Sequence, residues 1–165
     1  MTIEQLIKDR RSIRRYKSKN PSPKDIRKIL GSGAWAPSGL NNQPWKFKVI
    51  DDRQQLDDLS GYTKYANIIK SAPAAICIFL DKELLYNRDK DIMAIGACIQ
   101  NMLLQAQELN IGTCWLGEIL NRHQEVEQFL GVPEGLELMA VITCGYSDKE
   151  KKPGSRKKLD SLLVS

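Results

Sequence analysis

The sequence predicts an α+β layered domain in which three or four strands are separated by helices. Three observations carry that prediction. Residues 45–50 alternate apolar and basic side chains, which puts Trp45, Phe47 and Val49 on one face of a strand. Residues 74–80 form a continuous apolar run between Pro73 and Asp81, the pattern of a strand buried on both faces, and residues 136–144 form another apolar strand. Between these two, Ile92, Ile95, Gly96, Ile99, Leu103, Ala106 and Leu109 recur every three or four residues, widened by Ala94, Ala97 and Met102. That spacing describes a long helix, residues 89–109, central to the core.

Local signals supply the remaining elements. Thr2 and Gln5 make a capping box for a helix over residues 3–9. Ser22 as N-cap and Pro23 at the first helical position open a second helix, with Ile26, Ile29 and Leu30 inward and Gly33 and Pro37 bounding its end. Asp51 and Asp52 precede a short helix over 53–59, and Asn110 and Gly112 terminate the long one. Asn121 is expected to cap a helix over 122–130 that Gly131 and Pro133 stop. After Gly145 the chain turns polar and basic, then ends in a short segment over 159–164. No repeat or low-complexity linker is visible, so residues 1–165 are expected to form a single domain.

Composition narrows the function. Apolar residues make up 42% and charged residues 27%, an ordinary globular balance. No apolar run approaches the ~18–20 residues of a membrane span, and the N-terminus lacks a signal-peptide core, so the expected location is the cytoplasm. Cys77, Cys98, Cys114 and Cys144 lie far apart in apolar segments, and His123 is the only histidine, which argues against a disulfide framework or a metal site. The net charge of +5 comes from 25 basic and 20 acidic residues, with much of the excess in 10–19 and 149–158. Aromatic residues are only 7% and form no stacking platform around those clusters. A phosphate or dinucleotide ligand therefore explains the charge with fewer assumptions than nucleic acid.

Candidate binding residues fall in four places. Arg10-Arg11-Ser12-Ile13-Arg14 could hold a phosphate through charge-assisted bonds, or could be a solvated basic helix end. Pro37, Ser38, Asn41, Asn42 and Gln43 form a loop of amides and hydroxyls able to read a heterocycle edge, or simply turn chemistry. Gly112 to Gly117 is a short apolar insert in which Trp115 and Leu116 pack in the core, or Gly117 lets backbone N–H groups approach a flat ligand. Ser155-Arg156 could return a cation to the phosphate, or belong to a solvated tail. There is no G-x-S-x-G elbow, Walker loop or G-x-G-x-x-G, and no catalytic acid, base or nucleophile is nominated. An enzyme with this inventory would leave the chemistry to a cofactor.

In that order these motifs resemble the FMN-dependent nitroreductase family, together with Gly96-Ala97-x-x-Gln100-Asn101-Met102-Leu103-Leu104 on the long helix. The resemblance implies an α/β/α layered fold with a mainly antiparallel sheet, in a homodimer that exchanges segments and holds two FMN molecules at its interface. It assigns Arg10 and Ser12 to the FMN phosphate and ribityl region, with Arg11 in the same run and Arg156 adding charge. Arg14 falls near the pyrimidine edge, and a backbone N–H around Leu116–Gly117, beside Trp115, faces the flavin N5. Pro37, Ser38, Asn41 and Gln43 reach the flavin bound mainly by the other chain. The implied activity is ping-pong hydride transfer from NAD(P)H to nitroaromatics, quinones or similar acceptors, with no nucleic acid or membrane partner. Rival readings are a flavin carrier or regulator without reductase activity, a relative with other flavin chemistry such as dehalogenation or dehydrogenation, and a basic nucleic-acid-binding module. The connection from Leu80 to Asp91 is shorter than in many relatives, where this region often shapes the pocket, so the resemblance does not specify the acceptor.

Overall fold

A computed structural model describes residues 2–149 and 153–164 of the chain. Lys151 and Lys152, part of the basic 149–158 cluster, lie outside the described residues. The helices are α1 (Ile3–Asp9), α2 (Pro23–Ala34), α3 (Arg53–Ser60), α4 (Ala66–Ser71), α5 (Arg88–Glu108) and α6 (His123–Leu130). The strands are β1 (Trp45–Ile50), β2 (Ala74–Asp81), β3 (Gly112–Leu116) and β4 (Leu136–Gly145). They form one sheet in the order β1-β2-β4-β3, with every neighbour antiparallel.

Side-chain alternation along β2 explains why the sheet has a layer on each side. Ala74, Ile76, Ile78 and Leu80 pack toward α2 and α5, while Ala75, Cys77 and Phe79 pack toward α3, α4 and α6. All eight β2 residues are buried, and each large apolar side chain among them contributes roughly 1.5–3 kcal/mol. The result is the expected α/β/α arrangement. Helix α5, about 31 Å long at 1.5 Å per residue, crosses one whole face. Thr2, Ser22 and Asp52 cap α1, α2 and α3 through their side chains, as their positions predict.

Four details differ from the sequence reading. Asn121 does not cap α6: residues 118–122 form a 3-10 turn with Ile119 fully buried, and the cap position falls to Arg122 without a side-chain bond. Gly33 lies inside α2 rather than bounding it, and its lack of a side chain serves packing: a Cβ there would come 2.6 Å from Met102 Cγ where α2 meets α5. The Gly112–Leu116 insert is the edge strand β3. Helix α4 was not anticipated; it has no side-chain cap and is held by burial of Ile68 and Ile69.

Candidate functional site

The site begins where α1 ends. Arg10 occupies the C-cap with an extended backbone, its N–H donating to the Leu6 carbonyl. The chain then runs extended beside β3, bridging Ser12 to Thr113 in parallel, with the Ile13 N–H 2.8 Å from the Thr113 carbonyl oxygen. Extended backbone turns alternate side chains to opposite sides. Ile13 is buried, and Tyr16 beneath it donates to the Ile13 carbonyl at 2.7 Å and meets Thr143 Oγ1 at 2.8 Å. Ser12 and Arg14 are left exposed on the other side.

There they line a cleft of about 530 Å³ with Arg10, Arg11, Arg15, Ser147, Lys149 and Arg156. The structure thus brings together five residues nominated from sequence: Arg10, Arg11, Ser12, Arg14 and Arg156. Arg15, Ser147 and Lys149 were not nominated, although Arg15 and Lys149 lie in the two basic clusters visible in the sequence. No carboxylate is among the described residues lining the cleft. The cost of that concentration shows in Arg10, whose pKa is pushed below its ordinary value by burial and then by repulsion from Arg156 and Arg11. Arg11 folds its guanidinium back onto the Lys8 and Arg10 carbonyls, closing the end of α1.

The end of β3 is adjacent. Trp115 is 42% exposed, Leu116 is buried, and Gly117 is exposed where the strand ends. Of these three, Trp115 and Gly117 are accessible, and none of them lines the arginine cleft. Glu118, next along, accepts from Thr63 Oγ1 at 2.5 Å and from the Lys64 N–H at 3.2 Å. The Thr63 bond foremost, against some burial, holds its carboxyl below the ordinary range. This contact ties the α3–α4 connection to the residue after Gly117, and no sequence signal pointed to it. Burial pushes the Cys114 thiol up despite nearby Arg14 and Arg10, and pushes Cys77, Cys98 and Cys144 up to about 12. All four cysteines are free, buried and unsuited to nucleophilic work.

The amide loop sits elsewhere. Pro37 and Ser38 line a separate depression with Lys90, Met93 and Ala94 of α5, and share no cavity with the arginine cleft. Its backbone is unusual: Leu40, Asn41 and Gln43 all adopt positive φ, at 52°, 56° and 48°. The Gln43 N–H donates to Ser38 Oγ at 3.0 Å, and Gln43 Nε2 donates to the Asn41 carbonyl at 3.1 Å. Asn41 and Gln43 themselves remain exposed. A cofactor phosphate fits the cleft, which offers several cations and a hydroxyl, with no competing acid among the described residues. A flat heterocycle fits the exposed amides of the loop. One chain does not bring the two together.

A layered antiparallel sheet with a cation-lined cleft near its edge defines an α+β protein in which no acid–base or nucleophilic apparatus lines that cleft among the described residues. The family is settled by comparison. Residues 7–64 and 60–146 match the model described as Nitroreductase family, and the chain belongs to that family of oxidoreductases. A protein of Archaeoglobus fulgidus named as a candidate NADH dehydrogenase/NAD(P)H nitroreductase is 37% identical over 149 residues, 88% of this chain and 86% of that one. The crystal structure of a candidate nitroreductase from Desulfovibrio desulfuricans in complex with FMN is 42% identical. It superposes with a TM-score of 0.95 over 100% of this chain and 96% of that one. Iodotyrosine deiodinase of Thermotoga neapolitana is 27% identical over 171 residues, covering 88% of this chain and 89% of that protein. Among the described residues no helix is long and apolar enough to cross a membrane, and no cluster of potential metal ligands occurs.

Proposed function

We propose that this protein is an FMN-dependent oxidoreductase that passes hydride from NAD(P)H to a nitroaromatic, quinone or similar acceptor in a ping-pong cycle. The observation that carries the reading is the convergence of Arg10, Ser12, Arg14 and Arg156 on one cleft that no carboxylate lines among the described residues. Support comes from the FMN complex of the 42% identical structure. FMN, when bound, supplies the hydride chemistry, and this chain supplies everything around it. Arg10, Ser12 and Arg156 hold the phosphate end, with Arg11 steadying the end of α1 on which Arg10 sits. Arg14 brings fixed positive charge to the pyrimidine edge, where reduction adds negative charge. Trp115 and the Leu116–Gly117 backbone border the ring.

Pro37, Ser38, Asn41 and Gln43 complete the site of a second copy. Exposed apolar side chains support a homodimer that exchanges segments: Ile3 and Ile7 on α1, then Trp35, Leu40 and Met93, and Leu159, Leu162, Leu163 and Val164 near the C-terminus. Residues 1–165 act as one domain around the shared sheet. The reading includes a cytoplasmic location, consistent with four free thiols. It includes no nucleic-acid or membrane partner.

The test is the visible absorbance spectrum of the purified protein before and after anaerobic NADH or NADPH. Flavin bands that bleach on addition are expected; a protein that neither contains nor binds flavin contradicts the proposal. Bands that fail to bleach identify a carrier. Likeness to iodotyrosine deiodinase favours reductive dehalogenation as the second reading. Offering the reduced protein a nitroaromatic and an iodinated phenol side by side separates the two.

A further inference from the structure

Asp91 is fully buried in the first turn of α5, yet none of the described ion pairs includes it. A buried carboxylate without a counter-ion is costly unless hydrogen bonds replace the water it has lost. Here they do. Asp91 Oδ2 accepts from the Tyr86 N–H at 2.8 Å and the Asn87 N–H at 3.0 Å, and Oδ1 accepts from Asn42 Nδ2 at 2.9 Å. The positive end of α5 lies over the same group. The Asn42 amide also donates to the Leu84 carbonyl at 2.9 Å, while its own Oδ1 is buried without a partner. An amide oriented so that both N–H groups are used and its oxygen is abandoned is there for its donors.

What those donors hold is the strained loop. Asn42 stands between Asn41 and Gln43, two of the three positive-φ residues, which sit there without glycine's freedom. Such conformations persist only where surrounding contacts over-determine them. A second contact does so at Gly39, where a Cβ would fall 2.6 Å from Tyr86 Cδ1, so the tyrosine ring lies directly on the loop. Tyr86 and the Leu84 carbonyl belong to the short connection between β2 and α5, and Asp91 to the first turn of α5 that follows it. That connection is the platform on which the amide loop is built.

We infer that Asn42 and Asp91 are positioning residues: a buried amide–carboxylate clasp that fixes residues 38–43 in the geometry with which they contact flavin. The inference rests on the flavin reading above and extends it to two residues that do not themselves touch the ligand. Asn42→Ala opens the clasp at its partly exposed end, and Asp91→Asn opens it at the buried end. Two measurements on the dimer separate the possibilities.

The first is amide hydrogen exchange of flavin-free protein, where both variants are expected to speed exchange in residues 38–43 while the β2 core is unchanged. The second is FMN titration, where each is expected to weaken binding by about tenfold or more. The double variant should lose less than the sum of the two single losses, because the contact that the two residues share is lost only once. Unchanged exchange in the loop overturns the clasp. Faster exchange with wild-type FMN affinity overturns the positioning role. If the wild-type chain binds no FMN, the flavin reading and the positioning role fail together, while the exchange data still show whether the clasp holds the loop. Should Asp91→Asn not fold, Asn42→Ala alone decides the matter.

Discussion

Arg14 is the residue on which the electrostatic part of the proposal turns. It is exposed on the cleft side of the extended segment, with Ser12 before it and Cys114 within its electrostatic reach. Its role near the pyrimidine edge requires that its charge be felt more by the reduced than by the oxidised ligand. Replacing Arg14 by Ala should therefore lower the midpoint potential of bound FMN. A contribution of about 1–2 kcal/mol, typical of a charge near a protein surface, corresponds to roughly 20–45 mV for two electrons. Arg14→Lys should recover much of the shift, and a spectroelectrochemical titration with no shift in either variant removes Arg14 from that role. At this scale the sequence was partly legible. The run of arginines was visible, but a solvated helix end has the same letters. Only the pairing of Ser12 with Thr113, far away in sequence, turns the run into a wall of a cleft.

Among the elements, those with strong local signals matched the structure within a residue or two: α1, α2, β1, β2 and α5. Their caps and periodicities are short-range physics and need no tertiary information. The failures are the reverse case. Helix α4 spans six residues and exists because Ile68 and Ile69 find a core, which no window of its own sequence announces. Gly96, counted with the inward stripe of α5, lies on its outer side with no atom within 4 Å of a Cβ built there. The start of α5 also carries a pH signature. Burial raises the Asp91 pKa, but bonds from Asn42, Asn87 and Tyr86 outweigh it and leave the carboxyl below its ordinary value. A depressed folded pKa stabilises the protein above the unfolded value of about 3.9, and that contribution disappears as pH falls through the lower folded one. In thermal melts the gap between wild type and Asp91→Asn should thus hold steady from neutral pH down to about 5 and narrow below about 4. A gap independent of pH contradicts the bonded carboxylate.

At the scale of the molecule, the notable fact is a separation. The cationic cleft at the end of α1 and the amide loop near the start of α5 line different cavities of one chain, although both carry features suited to one ligand. Sequence placed the two motifs side by side, and neither spacing nor composition could say that the chain keeps them apart. In the proposed homodimer a second copy joins them, and the exposed apolar residues of α1, Trp35, Met93 and the C-terminal segment would be the surface it covers. Subunit complementation tests this directly. One chain carries Arg10→Ala and Arg14→Ala, and its differently tagged partner carries Asn41→Ala and Gln43→Ala. Each variant dimer alone should bind little flavin. The mixed dimer, isolated through both tags, should bind about one FMN where wild type binds about two, because one intact cleft then meets one intact loop. A mixed dimer as empty as its parents would contradict a site shared between copies.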